Sequence, residues 1–372
     1  MPDFVIVGGG VYGCGVAWQL ARQGLEVLLL EANSIASGAS GGLGKRGVRA
    51  NGRDPRELSL MQMAYDIWPT LHEELDGITG YERTGHLLLF ERESDFLQAA
   101  ARIWLQNQKG IPSRLVEKEA LQEMEPYMSE AVLAALYCPK DGVADHTATT
   151  HSLAKAAQRS GAEIRERTAV TGLERQGDRV TAVFTNTGEC ISVSHTVLLL
   201  ANRSVPELVQ DHLALTLPIW WWLPQVMLTD RVDPMPLRHL IGNAHRVLAM
   251  KSNPGGEIMI SGGWRGRWNP NSQKGETQPD QVAGNLAEAV TVYPCLAGIG
   301  VKEATADRWE TETIDNIPII DRLPGADNMI IGTGWSGHGW AISPAVTRLM
   351  AGWALSGQQP ALLRPFGYGR FL

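Results

Sequence analysis

The N-terminal stretch FVIVGGGVYGCGVAWQL, residues 4–20, constrains the fold more than any other part of the chain. A continuous apolar run ends in glycines and leads directly into residues with helical spacing. A second apolar run, LEVLLLE, then closes on the acid Glu31. Gly8, Gly10 and Gly13 match G-x-G-x-x-G in the strand, turn, helix and strand context that gives this pattern its meaning. The segment predicts a Rossmann-like dinucleotide-binding unit.

Each motif residue has a chemical reason to be there. Gly8 permits a tight turn, Gly10 lets the backbone approach a pyrophosphate, and Gly13 allows the helix to pack closely on the strand. The free N–H groups and the dipole of the helix N-terminus favour phosphate charge. We expect Glu31 to accept hydrogen bonds from ribose hydroxyls and to disfavour a 2′-phosphate.

Length and charge exclude several classes of protein. A chain of 372 residues has room for about two domains. The net charge of −7 comes from interspersed acids and bases, which argues against a nucleic-acid partner or an anionic-membrane patch. Apolar runs such as VLLLA, residues 197–201, are too short for a membrane span. The chain begins without a basic leader, so we expect a cytoplasmic protein.

The four cysteines lie at 14, 138, 190 and 295, with neither a C-x-x-C nor a His-Cys spacing. We therefore expect no metal site and no disulfide framework, and thiols that are mostly buried.

The rest of the chain divides into segments that differ in composition and in hydrophobic pattern. Residues 34–49, SIASGASGGLGKRGVR, supply small residues for a backbone wrapped around an extended cofactor, which favours FAD over NAD. Residues 56–76 predict one amphipathic helix. Residues 205–304 are strand-like and rich in Pro and Trp, and predict an antiparallel sheet.

We expect an α/β (α+β) fold in which two domains interleave. The predicted Rossmann-like FAD-binding domain takes residues 1–80, 143–210 and 305–372. The predicted antiparallel-sheet substrate domain takes residues 81–142 and 211–304.

Four stretches carry a resemblance to a known family: VIVGGGVYGCGVAWQLARQG, SGASGGLGKRGVR, DGVADHTATTHSLAKAAQRSGAEI, and DNIPIID with IIGTGWSGHGWAISPA. Over nearly its whole length the chain resembles the FAD-dependent amine and amino-acid oxidases of the glycine oxidase, sarcosine oxidase and D-amino-acid oxidase family. The resemblance implies that the second glycine turn ends at the flavin ring and that the following helix points at the pyrimidine carbonyl. Beside the first motif and Glu31, it implies FAD contacts from Ser40, Gly44, Lys45, Val170, Gly334, Gly337, His338 and Gly339.

The chain departs from the family on the substrate side. Relatives often place an Arg five residues before the aspartate of their D-G-x-P motif, but here that position is Glu310. Arg49 is the first candidate for the substrate carboxylate, although it could instead bind FAD phosphate or a nearby acid. Arg308 is the second, with an ordinary ion pair as the alternative.

Other candidates have equally open alternatives. Trp220 and Trp222 share one face of the strand PIWWWLP and are candidates for an apolar part of the substrate, or for core packing or a dimer surface. Met259 stands near a place where some relatives carry a Lys. His338 is the one candidate catalytic side chain, and it could instead simply hold its own turn.

The resemblance implies that the flavin carries the chemistry. We expect oxidation of a glycine-type or N-substituted glycine by hydride transfer from its alpha carbon to flavin N5, then hydrolysis of the imine to amine and glyoxylate. Oxygen or another acceptor would take the electrons, with peroxide formed from oxygen, and secondary metabolism is one setting that fits. The alternatives are a dehydrogenase of D- or cyclic amino acids using a non-oxygen acceptor, and a catalytically inactive FAD-binding subunit.

Overall fold

The computed structural model describes residues 1–42 and 44–372, so that only Leu43, within the glycine-rich stretch, lies outside the described residues. The described strands, in chain order, are β1 (Phe4–Val7), β2 (Val27–Leu30), β3 (Lys45–Val48), β4 (His86–Phe90), β5 (Arg114–Glu117), β6 (Ala134–Cys138), β7 (Gly142–Asp145), β8 (Glu163–Arg165), β9 (Val170–Gln176), β10 (Arg179–Thr185), β11 (Cys190–Ser192), β12 (Thr196–Leu199), β13 (Ile219–Trp222), β14 (Val226–Thr229), β15 (Leu240–Asn243), β16 (Ala249–Ser252), β17 (Ile258–Ser261), β18 (Arg267–Asn269), β19 (Lys274–Glu276), β20 (Val301–Thr305), β21 (Glu310–Thr313), β22 (Ile319–Arg322) and β23 (Met329–Thr333). The described α-helices are α1 (Val11–Ala21), α2 (Pro55–Ile67), α3 (Leu71–Leu75), α4 (Ala99–Gln108), α5 (Lys118–Met124), α6 (His146–Arg159), α7 (Ser204–Leu213), α8 (Pro279–Val292) and α9 (Ser343–Ser356).

The first glycine motif follows β1, which is a central strand of a six-stranded sheet with the order β22-β23-β12-β1-β2-β8. All neighbours pair in parallel except β22, which runs antiparallel to β23. Alternate residues of β1 enter two separate cores: Phe4 and Ile6 pack with α1, α6 and α9, whereas Val5 and Val7 pack with α7 and β9–β11. Both faces of the sheet are therefore covered, which explains why its strands are continuous runs of apolar residues.

The second large sheet has eight strands in the order β20-β14-β17-β16-β15-β4-β6-β5. Its pairs are antiparallel except for β4, which lies parallel to β15. The segment 205–304 supplies β14–β17 and the start of β20 to this sheet, in antiparallel pairs as predicted. It also contains α8 and most of α7, which the strand-like pattern did not predict. In α8, Val282, Leu286 and Ala289 pack on or in the sheet's core at helical spacing. The domain boundaries given above stay a prediction.

The predicted helix 56–76 is broken into α2 and α3. Pro69 follows the end of α2 and explains the break, because proline has no N–H to donate and its ring clashes with the preceding turn. The left-handed backbone expected of Asn202 is present, with φ of 43°. Of the cysteines, Cys14 and Cys138 are buried and the other two are exposed, so the expectation of mostly buried thiols held for half of them. Among the described helices, none is long and apolar enough to cross a membrane.

Helix α1 packs directly against α9 and brings the two glycine turns together. The Tyr12 hydroxyl donates to the carbonyl oxygen of Gly339 over 2.5 Å. The Tyr12 ring also stacks on Trp335, with 3.6 Å between ring centroids. One turn further along α1, a Cβ on Gly15 would lie 2.7 Å from Thr347 Cγ2, so glycine permits this close approach.

Gly13→Ala and Gly352→Ala form a matched pair of helix substitutions. A Cβ on Gly13 would lie 1.8 Å from the Gly8 carbonyl oxygen, whereas a Cβ on exposed Gly352 meets nothing within 4 Å. We expect Gly13→Ala to lower the free energy of unfolding by about 3 kcal/mol. Gly352→Ala should raise it by up to about 1 kcal/mol, because alanine favours the helix. Urea unfolding of the cofactor-free variants measures both, and equal effects would contradict the packing described.

Candidate active site

The first glycine turn forms an open cradle at the start of α1. Gly8 has a φ of 113°, a conformation suited to glycine. Helix α1 has no side-chain cap at its N-terminus, where Gly10 is the cap residue. A Cβ on Gly10 would meet nothing within 4 Å. Free N–H groups therefore face an open space with no side chain in it, which is the arrangement that a phosphate group needs.

Glu31 closes one side of this cradle. Its carboxylate accepts from the backbone N–H of Gly9 over 2.6 Å and of Asn33 over 2.8 Å. The N–H of Thr168 donates to the Glu31 carbonyl oxygen over 2.8 Å, and Val170 begins β9 two residues later. The structure thus brings Glu31 and the segment that leads into Val170 to the same edge of the turn.

The second glycine turn leads into α9 through a short 3₁₀ turn, Gly339–Ile342. Gly334 and Gly337 have φ of 74° and 75°, which are left-handed values that favour glycine. Gly339 lies against the Trp335 ring, where a Cβ would come within 2.8 Å.

His338 is held by three neighbours. Its Nε2 lies 3.0 Å from the Asn316 carbonyl oxygen and its Nδ1 lies 3.2 Å from Glu57 Oε1. Arg53 donates to both Glu57 Oε1 and the His338 carbonyl oxygen, over 3.0 and 2.5 Å. Burial would raise the pKa of Glu57, but Arg53 and His338 outweigh it and lower that pKa. These contacts on both ring nitrogens and on the backbone carbonyl assign His338 a positioning role in its turn.

A cavity of about 730 Å³ lies between the second glycine turn and the eight-stranded sheet. Ser336, Gly337 and His338 line it from the turn, and Ser40 and Gly41 line it from the glycine-rich loop. Apolar side chains of the sheet and its surroundings line another part: Leu88, Phe90, Trp222, Leu240, Ile241 and Leu248.

The predicted substrate residues divide between this cavity and its surroundings. Arg49 and Trp222 line it, but Arg308, Trp220 and Met259 are not among its lining residues. Trp220 is 38% exposed on β13. Met259 is buried, with its sulfur 3.2 Å from Arg46 Nη1. The guanidinium of Arg308 lies 3.9 Å from its chain neighbour Asp307.

Two predicted FAD contacts, Lys45 and Ser40, and the position that departs from the family pattern, Glu310, have partners within the protein. Lys45 Nζ lies 2.7 Å from Glu82 Oε1, so its ammonium is paired. The Ser40 hydroxyl donates to the carboxylate of Glu310. Glu310 lines the cavity and is buried, and burial raises its pKa. Gly44 has a φ of 88° just before β3.

Lys251 is a cavity residue that the sequence analysis missed. It lies on β16, its side chain is buried, and it lines the cavity. Burial, together with Arg46 and Arg49, lowers its pKa to about 7. The signal in the sequence was a single Lys within an apolar strand segment, VLAMKS.

A comparison with known proteins decides the family. The family described as "DAO: FAD dependent oxidoreductase" matches residues 3–353. The chain belongs to this family. It is 25% identical to the sarcosine oxidase subunit beta of Arthrobacter sp over 377 residues, covering 99% of this chain and 91% of that protein. Glycine oxidase from Bacillus cereus ATCC 14579 matches at 25% identity with a TM-score of 0.83, covering 98% of this chain and 97% of the other. L-proline dehydrogenase from P. horikoshii shares the fold, with a TM-score of 0.89 at 24% identity, covering 100% and 97% of the two chains.

Membership of the DAO family makes the chain an FAD-dependent oxidoreductase of the kind that acts on amines and amino acids. The predicted fold class is confirmed, with the one parallel pair in the second sheet as its departure from antiparallel order. The residues fit FAD: the Gly10 cradle is open for the pyrophosphate, and the second glycine turn borders a cavity large enough for a ring system and a small substrate.

Gly10→Ala separates cofactor binding from folding. The cap residue has φ −79° and ψ −177°, which alanine adopts, and its Cβ would project into open space. We expect urea unfolding of the cofactor-free variant to change by less than about 0.5 kcal/mol. The dissociation constant for FAD should rise at least about tenfold, because the methyl group occupies the space of the phosphate. Fluorescence titration with FAD measures it, and unchanged affinity would place the pyrophosphate elsewhere.

Lys251→Met tests the buried ammonium through the pH dependence of stability. Folded protein carries the cost of a buried charge below pH 7, because the pKa of Lys251 is lowered to about 7. This cost fades as pH rises towards 10.5, where the unfolded lysine also loses its proton. The variant should therefore exceed the wild type in free energy of unfolding at pH 6, and the gain should shrink by pH 9. Lys274→Met, at an exposed position, is the control; a pH-independent gain would be the contrary result.

Proposed function

We propose that this DAO-family protein oxidises the glycine unit of an N-substituted glycine and forms an amine, glyoxylate and, with oxygen as acceptor, peroxide. The observation that carries the proposal is Arg49, a cation at the cavity wall without an acidic partner. The names of two relatives, which refer to sarcosine and to glycine, support the same substrate class.

Arg49 is placed to hold the substrate carboxylate. Its Nη1 donates to the carbonyl oxygen of Asn51 over 2.8 Å. Among the residues that the structure describes, no carboxylate oxygen lies within 4.0 Å of its guanidinium. Burial and the nearby charge of Arg53 lower its pKa, so the site disfavours a bare cation and favours an incoming anion. A guanidinium can bind such a carboxylate with two parallel hydrogen bonds.

Glu310 supports this placement by excluding the alternative one. It occupies the position where relatives often carry an Arg, and it lies buried in the cavity wall next to Ser40. A carboxyl group there offers no positive charge, and repels a substrate carboxylate whenever it is ionised. The substrate carboxylate is therefore directed to the Arg49 side of the cavity.

The apolar part of the wall accommodates the carbon chain of the N-substituent. Leu88, Leu240 and Ile241 contribute aliphatic surface, and Trp222 contributes an aromatic face. Contact with this surface and with Arg49 fixes the substrate at two points, which orients the carbon to be oxidised. FAD bound beside this cavity would supply the redox chemistry, taking two electrons from that carbon, with oxygen as the proposed final acceptor. A substrate amine that binds in its neutral form needs no general base from the chain.

Arg49→Met tests the carboxylate contact. We expect kcat/KM for N-ethylglycine to fall by about 10- to 150-fold, since a hydrogen bond to a charged group contributes about 1.5–3 kcal/mol. Most of the loss should appear in KM. Arg179→Met, at an exposed position on β10, is the matched control. An equal loss in Arg308→Met with none in Arg49→Met would transfer the contact to the other candidate.

Anaerobic titration of the FAD-loaded protein tests the substrate class. Bleaching of the flavin absorbance by N-ethylglycine or sarcosine, followed by fast recovery and peroxide formation in air, is the expected result. Bleaching by D-alanine or L-proline alone would overturn the proposed substrate, and reduction that persists in air would favour the dehydrogenase alternative. A flavin that no amine reduces would favour the inactive-subunit alternative. The cytoplasmic location and the role in secondary metabolism stay predictions.

A further inference from the structure

We propose that the N-substituent of the substrate ends in a second carboxylate, which binds at Lys251, so that the substrate is a dicarboxylate secondary amine. Iminodiacetate is the simplest molecule of this class. The inference rests on the proposed function and specifies its substrate further.

The position of Lys251 follows from the strand register. Lys251 on β16 pairs directly with Met259 on β17. Directly opposed residues of an antiparallel pair project on the same face of the sheet. Lys251 is only 5% exposed, and it lines the cavity. Its side chain therefore contributes to the wall of the substrate cavity and is shielded from bulk water.

Lys251 has no partner for its charge within the described part of the chain. Among the described residues, its Nζ has no carboxylate within 4.0 Å and no acceptor at hydrogen-bond distance. Lys45 gives the contrast, since it is similarly buried but pairs with Glu82 over 2.7 Å. Burial without a partner disfavours the charged form of this side chain, and a bound anion would favour it again.

The charges around the cavity leave an excess of cations on one side. The lining residues that carry positive charge, within the described chain, are Arg46, Arg49, Arg53, Arg102, Arg246 and Lys251; those that carry negative charge are Asp95 and Glu310. Arg53 is neutralised by Glu57, and Arg246 by Glu91 and Glu288. Asp95 is engaged by His245. Arg46 donates to the Lys45 carbonyl oxygen, Arg102 donates to Gln98, and the carboxyl group of Glu310 accepts from Ser40. Arg49 and Lys251 are neighbouring cations of this wall with no carboxylate within 4.0 Å among the described residues.

One carboxylate cannot account for both of these cations. Arg49 and Lys251 are close enough for the charge of the first to lower the pKa of the second. A monocarboxylate held by Arg49 leaves the ammonium uncompensated, whereas a dianion compensates each cation with one carboxylate. The FAD pyrophosphate does not serve this role, because its cradle at Gly10 is not among the lining residues of this cavity.

The reaction of such a substrate balances with FAD and water. One C–H bond of a carboxymethyl arm breaks, its electron pair leaves as hydride to FAD, and the amine loses its N–H proton to form an imine. Water then cleaves the C=N bond, so iminodiacetate gives glyoxylate and glycine, and reduced FAD carries the two electrons.

Iminodiacetate and N-ethylglycine form a matched substrate pair, because a methyl group in one stands where the other has a carboxylate. We expect wild-type kcat/KM to favour iminodiacetate by at least about tenfold, the effect of one hydrogen-bonded charge pair. In Lys251→Met this ratio should fall to about one or below, whereas Lys274→Met should keep the wild-type ratio. Preference for N-ethylglycine, or an unchanged ratio in Lys251→Met, would overturn the dicarboxylate inference and leave the proposed function standing.

Sulfur analogues, which lack an amine to oxidise, test binding without turnover. Thiodiacetate should perturb the flavin absorbance at concentrations at least about tenfold lower than those required of (ethylthio)acetate, the sulfur analogue of N-ethylglycine. At pH 8 its binding should take up close to one proton per site, because most Lys251 side chains are neutral above a pKa of about 7 and a bound carboxylate favours the charged form. Calorimetry in buffers of different ionisation enthalpy measures this uptake.

The charged groups acting on Lys251 are Arg46 and Arg49, and the other titratable groups of the cavity wall besides the acids are His86 and His338. If the Lys251→Met variant binds thiodiacetate without taking up a proton, the uptake in the wild type belongs to Lys251. Uptake that persists in the variant would assign it to another group and would overturn the role of Lys251. If no amine reduces the flavin, the proposed function fails, but these binding measurements still decide whether a dianion binds here.

Discussion

The packing of α1 against α9 is the contact on which the rest of the site depends. Each helix begins at a glycine turn, and Tyr12 joins the two by donating to Gly339 while stacking on Trp335. Two distant glycine turns are thereby held in one region, the first as an open phosphate cradle and the second beside the cavity. An extended cofactor such as FAD needs this arrangement, because its pyrophosphate and its ring must be held at the same time.

The chemistry of the cavity follows from which charges the fold neutralises and which it leaves. Arg53, Glu57 and His338 form a closed set that fixes the second turn. Arg49 and Lys251, by contrast, line the cavity with no carboxylate within 4.0 Å in the described part of the chain. The partners of each side chain, and not its residue type, thus distinguish the charges that hold the protein together from those proposed to hold the substrate.

The sequence predicted the parts of this structure that depend on local pattern. The roles of Gly8 and Gly13 in the turn, the second glycine turn, and the left-handed Asn202 all follow from spacing and backbone preference. The break at Pro69 and helix α8 also had local signals, a proline and apolar residues at helical spacing. The helical pattern of residues 56–76 and the strand-like pattern of residues 205–304 outweighed these signals. Lys251 and Arg308 are different, because only the folded chain shows that Lys251 lines the cavity and that Arg308 does not.

The central position of β1 has a consequence for the order of folding. Val5 pairs with Leu28 on one side and with Val197 on the other, and β12 in turn pairs with β23 near residue 330. The middle of this sheet therefore cannot close until most of the chain has left the ribosome. Closing such long loops slows folding and leaves the apolar edge of β1 exposed in the meantime. During synthesis the nascent N-terminal segment thus exposes apolar surface of the kind that chaperones cover.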